Sequence, residues 1–146
     1  MYQRILVPVD LADIAVAQPA LTRATTMAKT SGGLLRLVNV LSMIPAAYLD
    51  YMPSNYDTQE RERSAKDLAD LAASTGYDAT KVSTAIRLGA IYHEVLGEAK
   101  DWKADLIVIG SHDPTFATYL IGSNAANIVR HAHCSVLVER QVGKTA

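Results

Sequence analysis

Short, nearly continuous apolar runs alternate along the chain with longer stretches whose apolar residues recur at helical spacing. The first run, residues 4–9, carries Ile5, Leu6 and Val7 without a polar interruption. Such a run is typical of a strand covered on both faces. Similar runs predict four further strands, over residues 34–41, 81–88, 105–109 and 135–138.

Helices are expected between these strands. The first ends near Gly32, where glycine suits a helix end, and Pro19 marks either its first turn or a kink within it. The second begins at Asp57, with Glu60 placed for a capping box, and a third follows Gly89. A fourth covers residues 123–131, whereas residues 43–56 are expected to form a surface loop. The predicted inner faces are Ala65, Leu68, Ala69 and Ala72 in the second helix, and Ile91, Val95, Ala99 and Trp102 in the third.

Strands that alternate with helices predict parallel pairing through right-handed crossovers. The expected fold is a doubly wound α/β sandwich in which residues 1–146 form one domain. A chain of 146 residues has the length for one such domain with a substantial core.

Composition narrows the classes of function. Lys and Arg total 14 against 15 for Asp and Glu, so no basic excess supports a dedicated nucleic-acid binder. Cys134 is the only cysteine, which excludes an intrachain disulfide, a CxxC motif and a cysteine-rich zinc site. Since no apolar run reaches membrane-spanning length and the first residues do not resemble a signal peptide, we expect no membrane contact and a cytoplasmic location.

Two glycines near the end of the chain mark a candidate anion site. Gly110 ends the apolar run of the fourth strand, and Gly122-Ser123-Asn124 opens the fourth helix. A helix N-terminus presents unpaired N–H groups and partial positive charge, and glycine lets an anion approach the backbone. The equally weighted alternative is that both glycines only serve turns and helix capping.

Other candidate groups follow the first and fourth strands. If these strands are neighbours, Asp10, Gly110 and Gly122 surround one crevice at the carboxyl ends of the strands, where ligands bind in such sheets. Asp10 could then accept a hydrogen bond from a base or ribose, or only cap its own turn. Ser111 and His112 are further candidate cofactor contacts. His112 could contact phosphate or act as an acid or base, and a polar loop contact is its favoured alternative role. Ser111 could be a phosphate acceptor, or its hydroxyl could serve only the turn.

The chain shows no convincing catalytic set. It has no P-loop lysine pattern, no nucleophile elbow and no paired carboxylates at recognisable spacing. These absences favour a ligand-binding regulatory module over an enzyme, and a resemblance to a known family makes these two candidates a nucleotide-binding module and an ATP-consuming enzyme. A ligand-free dimeric interaction protein is the third possibility.

Several segments together resemble the universal stress protein family. They are residues 5–10, Gly89-Ala90, residues 105–111, Gly122-Ser123 and residues 129–138, and the resemblance extends over essentially the whole chain. Residues 111–114 and 118–126 resemble the enterobacterial F/G-type subgroup.

The resemblance implies a five-stranded parallel sheet of order 3-2-1-4-5 and an ATP site. Asp10 and the Val40 backbone would contact adenine, and Gly110 would lie under the ribose. Pro8 and Val9 would help to wall the pocket, and Gly122, Ser123 and the Asn124 N–H would hold the phosphates.

The glycine loop departs from the pattern Gly-x2-Gly-x9-Gly-Ser/Thr of the ATP-binding members. Asp113 occupies the second glycine position, and the loop to Gly122 is one residue shorter. A carboxylate there repels a triphosphate unless Mg²⁺ intervenes or the side chain points away. The F/G-type subgroup shares the short form and is associated with nucleotide binding, so ATP remains the favoured ligand over an empty site.

The last strand suggests a homodimer. Its residues Ser135 to Glu139 would lie at a sheet edge in the order 3-2-1-4-5, and an apolar edge strand has unpaired backbone groups. Pairing with the same strand of a second copy would satisfy them.

Overall fold

Apolar side chains on both faces of a parallel strand require helices on both sides of the sheet. The computed structural model, which describes residues 1–111 and 122–140, has this arrangement. Its strands are β1 (Arg4–Pro8), β2 (Leu34–Leu41), β3 (Val82–Leu88), β4 (Leu106–Gly110) and β5 (Ser135–Glu139). They form one parallel sheet in the order β3-β2-β1-β4-β5, which confirms the expected topology.

Within the described part of the chain, four helices cover the sheet. They are α1 (Ile14–Ser31), α2 (Tyr56–Ser74), α3 (Ile91–Trp102) and α4 (Ser123–His131), and a short 3-10 helix (Ala46–Tyr51) lies in the expected loop. Helices α1 and α2 pack on one face, where the buried core includes Ile5, Val7, Leu35, Leu37 and Val108. Helices α3 and α4 pack on the other face, around Leu6, Val38, Ile107 and Ile109.

Helix α1 begins before Pro19, in agreement with the second of the two positions expected for this proline. It starts at Ile14 and contains Pro19, so Pro19 does not mark its first turn. The apolar stripe explains the extension, because Ala17 is buried one turn ahead of Ala20 and Leu21.

The predicted start and inner face of α2 are wrong in part. No side-chain capping bond is present at its start, and Glu60 instead pairs with Arg63 on the helix surface. Ala65 and Ala69 are exposed, and the helix packs through Ser64, Leu68 and Ala72. Alanine is small enough to occupy either face, so alanine positions specify the orientation of a helix poorly. In α3, Ile91 is likewise exposed, whereas Val95, Ala99 and Trp102 are buried as predicted.

A charged cluster joins α3 to the sheet. Glu98 is buried and lies between two arginines, 3.0 Å from Arg36 of β2 and 2.9 Å from Arg87 of β3. Arg87 also contacts Glu94 and Asp101. The hydrogen bond with Glu94 is the largest cause that raises the pKa of Arg87 above its ordinary value. We call these five residues the Glu98 cluster.

Trp102 extends this cluster toward the amino ends of the strands. The guanidinium carbons of Arg4 and Arg36 lie 4.7 and 4.8 Å from the centre of its ring. Guanidinium groups at this range are attracted to the faces of an indole ring. Arg4 also donates to the Trp102 carbonyl oxygen at 2.8 Å, so β1, β2 and the end of α3 are held together.

Membrane-spanning helices were also considered. Among the residues that the structure describes, none of the helices is both long and apolar enough to cross a bilayer.

Candidate functional site

The order of the strands places a crevice at the carboxyl edge of the sheet. From β1 the chain proceeds outward to β2 and β3, whereas β4 and β5 lie on the other side of β1. The order therefore reverses between β1 and β4, and this is the point at which open α/β sheets bind ligands. The expected adjacency of β1 and β4 is confirmed by the pairing of Ile5 with Leu106.

The end of β1 supplies one wall of the crevice. Val9 is buried directly after the strand, and Asp10 is exposed. One carboxylate oxygen of Asp10 accepts a hydrogen bond from the Ala12 N–H at 2.9 Å, and the Asp10 carbonyl accepts from the Asp13 N–H at 3.0 Å. Asp10 therefore caps its own turn, one of the two roles expected for it, and its second carboxylate oxygen remains for a ligand.

The end of β2 presents a backbone donor and acceptor beside this turn. The backbone groups of even-numbered β2 residues bond to β1. The Leu34 N–H donates to the Gln3 carbonyl, and the Val38 carbonyl accepts from the Val9 N–H. Val40 therefore directs its N–H and C=O toward the space beyond β1. Among the described residues neither group has a hydrogen-bond partner.

The end of β4 forms the floor of the crevice. Gly110 lies beneath α1, because a Cβ atom at this position would lie 2.7 Å from the Val16 carbonyl oxygen. Ser111 is buried, and its N–H donates to the Glu139 carbonyl oxygen of β5 at 2.9 Å. The Glu139 carboxylate in turn accepts two hydrogen bonds from Arg23 of α1, at 3.0 and 3.1 Å.

The start of α4 completes the group of candidate residues. The helix begins at Ser123, directly after Gly122, as the sequence predicts. Because β5 is parallel to β4, α4 must run from the carboxyl edge of the sheet back to its amino edge, which places its N-terminus at the crevice. The first N–H groups of a helix have no partner within it, so those of Ser123 and Asn124 are donors for an anion.

The structure thus brings most of the predicted site residues to one edge of the sheet. They are Pro8, Val9, Asp10, Val40, Gly110, Ser111, Gly122, Ser123 and Asn124. His112 and Asp113 lie outside the described residues. Within residues 1–111 and 122–140, no group of three or more His, Cys, Asp or Glu side chains is arranged to hold a metal ion.

Two features of this edge were missed from the sequence. One is the packing of Gly110 under α1, because a glycine that follows a strand in the sequence does not show which element covers it. The other is Asn39, which is 5% exposed in an otherwise apolar part of β2 and donates from Nδ2 to the Val9 carbonyl at 2.9 Å. A polar residue within the run Leu37 to Leu41 is a signal that could have identified it.

Cys134 lies at the opposite edge of the sheet and packs partly against the core on the α3 side. Burial is the main cause that raises the pKa of its thiol, and the charge of Asp105 adds to the effect. A raised pKa makes a thiol less reactive at neutral pH. Cys134 therefore packs as a small, partly buried apolar residue.

Known proteins resemble this chain in sequence. The sequence model of the Universal stress protein family matches residues 1–140. Universal stress protein G of Escherichia coli O157:H7 is 29% identical over 143 residues, which cover 96% of this chain and 100% of the relative.

Solved structures show the same fold. Universal stress protein UspA from Lactobacillus plantarum matches with a TM-score of 0.77 and 28% identity, over 95% of this chain and 98% of that chain. A universal stress protein in complex with cAMP matches with a TM-score of 0.69 and 22% identity, over 94% of this chain and 96% of that chain.

Proposed function

The chain belongs to the universal stress protein family, and from that premise we propose that it binds an adenine nucleotide, ATP above all, in the crevice. Bound nucleotide would make it a regulatory module in stress adaptation, whose conformation or partner choice depends on ATP. The cAMP complex of a protein with the same fold supports the choice of an adenine ligand.

The backbone of Val40 is the observation that carries this proposal. Its N–H and C=O point to the same side of β2, beyond the end of β1, and no described residue bonds to them. A donor beside an acceptor complements ring nitrogen N1 and the N6 amino group of adenine. Guanine presents the opposite pattern, with a donor at N1 and an acceptor at O6. A site built from such groups discriminates strongly, since the wrong base leaves them unpaired.

The phosphates would lie at the start of α4. Gly122 leaves room beside the backbone, and the N–H groups of Ser123 and Asn124 are free to donate. Gly110 would lie under the ribose, between β4 and α1. Mg²⁺ in nucleotide sites is held mainly by phosphate oxygens and one or two carboxylates. Because Asp10 is placed at the adenine end of the site, any Mg²⁺ that ATP carries would be held mainly by the phosphate oxygens.

We expect little or no hydrolysis. Efficient phosphoryl transfer requires a group that positions the attacking water and a cation on the transferred phosphate. Asp10 is an exposed acidic side chain at the crevice, and one of its carboxylate oxygens is already engaged in its own turn. The module therefore depends on nucleotide occupancy rather than turnover.

Replacing Gly122 by valine tests the phosphate site. Gly122 has φ −55° and ψ 155°, which non-glycine residues adopt readily, so the backbone gains no strain. The valine side chain should block the approach of the phosphates and weaken ATP binding about tenfold or more, which is equivalent to at least 1.4 kcal/mol. Titration calorimetry with ATP and GTP measures both this loss and the expected preference for adenine.

Adenosine provides the matched control ligand, because it lacks phosphates and should bind both proteins with similar affinity. Absence of ATP binding by the wild-type protein would overturn the proposal. Equal ATP affinity in the two proteins would place the phosphates elsewhere.

We also infer that two copies pair through β5. This strand lies at an open edge of the sheet and bears the apolar residues Val136, Leu137 and Val138, each only partly buried. Open edges with free backbone groups are commonly covered by another strand. An antiparallel pair about a two-fold axis would make the interface the same on both copies.

Two adjacent proline variants test the dimer. Consecutive amides of a strand point to opposite sides. Of the two variants Val136→Pro and Leu137→Pro, one therefore removes a donor on the outer side of β5, and the other removes a donor to β4. Light scattering in the micromolar range should show a dimeric wild type and at least one folded monomeric variant. Thr84→Pro, on the opposite edge strand β3, should stay dimeric. A monomeric wild type, or two dimeric β5 variants, would contradict the interface.

A further inference from the structure

The hydrogen-bond ladder between β1 and β2 ends one bond early. In this ladder the Leu34 N–H donates to Gln3, and the Val9 N–H donates to Val38 at 2.8 Å. The regular parallel pattern would next place a bond from the Val40 N–H to the Val9 carbonyl oxygen. That bond is absent among the described residues, and the register between the strands ends at Pro8 and Val38.

The Asn39 side chain occupies the place of the missing bond. Its Nδ2 donates to the Val9 carbonyl at 2.9 Å, and the side chain is buried. The Asn39 carbonyl Oδ1 is also buried and has no hydrogen-bond partner. A buried acceptor without a partner lowers the stability of the fold. An apolar side chain would avoid that cost, so the fold alone does not explain an asparagine here.

We propose that Asn39 is a positioning residue for the nucleotide site: it satisfies the Val9 carbonyl and thereby keeps the Val40 N–H free to donate to N1 of adenine. This inference rests on the proposed function for its ligand but makes a separate claim about the free protein. A donor other than Val40 must hold the Val9 carbonyl, because a buried carbonyl without a partner would attract the Val40 N–H. The side chain of Asn39 is that donor.

Asn39→Leu removes the donor and keeps the branched shape of the side chain, although leucine is larger than asparagine. The Val40 N–H should then bond to Val9 and extend the ladder by one rung. ATP affinity should fall about tenfold, because adenine loses its donor at N1. The affinity for 1-deazaadenosine triphosphate, in which a C–H replaces N1, should be the same in both proteins. A purely structural defect would weaken both ligands equally.

Tyr77→Phe is the matched control. The Tyr77 hydroxyl lies 2.6 Å from the Gly33 carbonyl oxygen and 3.1 Å from that of Ala28, near the other end of β2. This variant also loses one side-chain bond to a backbone carbonyl beside the same strand, but it should keep the wild-type preference for ATP over 1-deazaadenosine triphosphate.

Amide hydrogen exchange of the nucleotide-free protein separates this inference from the proposed function. In the wild type the Val40 amide should exchange at least about tenfold faster than the Val38 amide, which is bonded within the ladder. In Asn39→Leu the two should be similarly protected. If the Val40 amide is already as protected as Val38 in the wild type, the inference is wrong, whether or not ATP binds. If exchange behaves as expected and ATP does not bind, only the proposed function fails.

Discussion

Glu98→Gln should lower the free energy of unfolding by about 2–3 kcal/mol, because it leaves two guanidinium groups beside an uncharged amide. Glu98 is buried and bonds to Arg36 and Arg87, whose side chains each remain 25% exposed. This partial exposure places the effect at the lower end of the range for a broken buried ion pair. Chemical denaturation at low salt measures the change.

Asp70→Asn is the matched control for the loss of a carboxylate. Asp70 pairs with Lys66 one turn away on α2, and both side chains are largely exposed. Exposed pairs of this kind contribute about 0.5 kcal/mol or less. If Glu98→Gln costs no more than Asp70→Asn, the Glu98 cluster does not hold α3 to the sheet as described.

Gly110→Ala should cost about 2 kcal/mol, the typical effect of forcing extra volume into a packed interface. The new Cβ would lie 2.7 Å from the Val16 carbonyl oxygen. The neighbouring atom belongs to the backbone of α1, so no side chain can rotate away, and the helix itself must shift. The same denaturation experiment measures this loss.

Gly76→Ala separates crowding from backbone strain. Gly76 has φ +71° and no atom within 4 Å of the Cβ position, so alanine there costs only the left-handed conformation, about 1 kcal/mol. Gly110 has no positive φ. A smaller loss for Gly110→Ala than for Gly76→Ala would show that α1 moves at little cost.

Local patterns were sufficient to predict most of the elements, because buried parallel strands are continuously apolar. The helix over Ser123–His131 was predicted with its observed bounds, since Gly122 and the histidine end mark both limits. The orientation of α2 could not be predicted correctly, because its alanines do not distinguish the two faces of the helix. Ser64 is buried, although serine is a residue type expected at the surface. The strand order came from the resemblance to known proteins, since pairing across the sheet depends on contacts distant in sequence.

The same strand order also predicted that the candidate site residues lie together at one edge of the sheet. The contacts that decide the chemistry of the site could not be predicted in this way, because they depend on distances between segments far apart in the chain. Asn39 bonds to a carbonyl 30 residues away, and Gly110 lies under a helix that begins almost a hundred residues earlier. Glu98, Arg36 and Arg87 could each have been taken for surface charges, and only packing shows that they face one another.

Trp102 gives this protein a built-in optical reporter. It is the only tryptophan in the chain, it is buried, and it lies between Arg4 and Arg36 at the amino edge of the sheet. Its fluorescence spectrum should move to longer wavelength when the chain unfolds and water reaches the indole. Because the proposed nucleotide crevice lies at the opposite edge of the sheet, we expect ligand binding to leave that emission almost unchanged. Tryptophan fluorescence would then report folding, and calorimetry would report nucleotide occupancy.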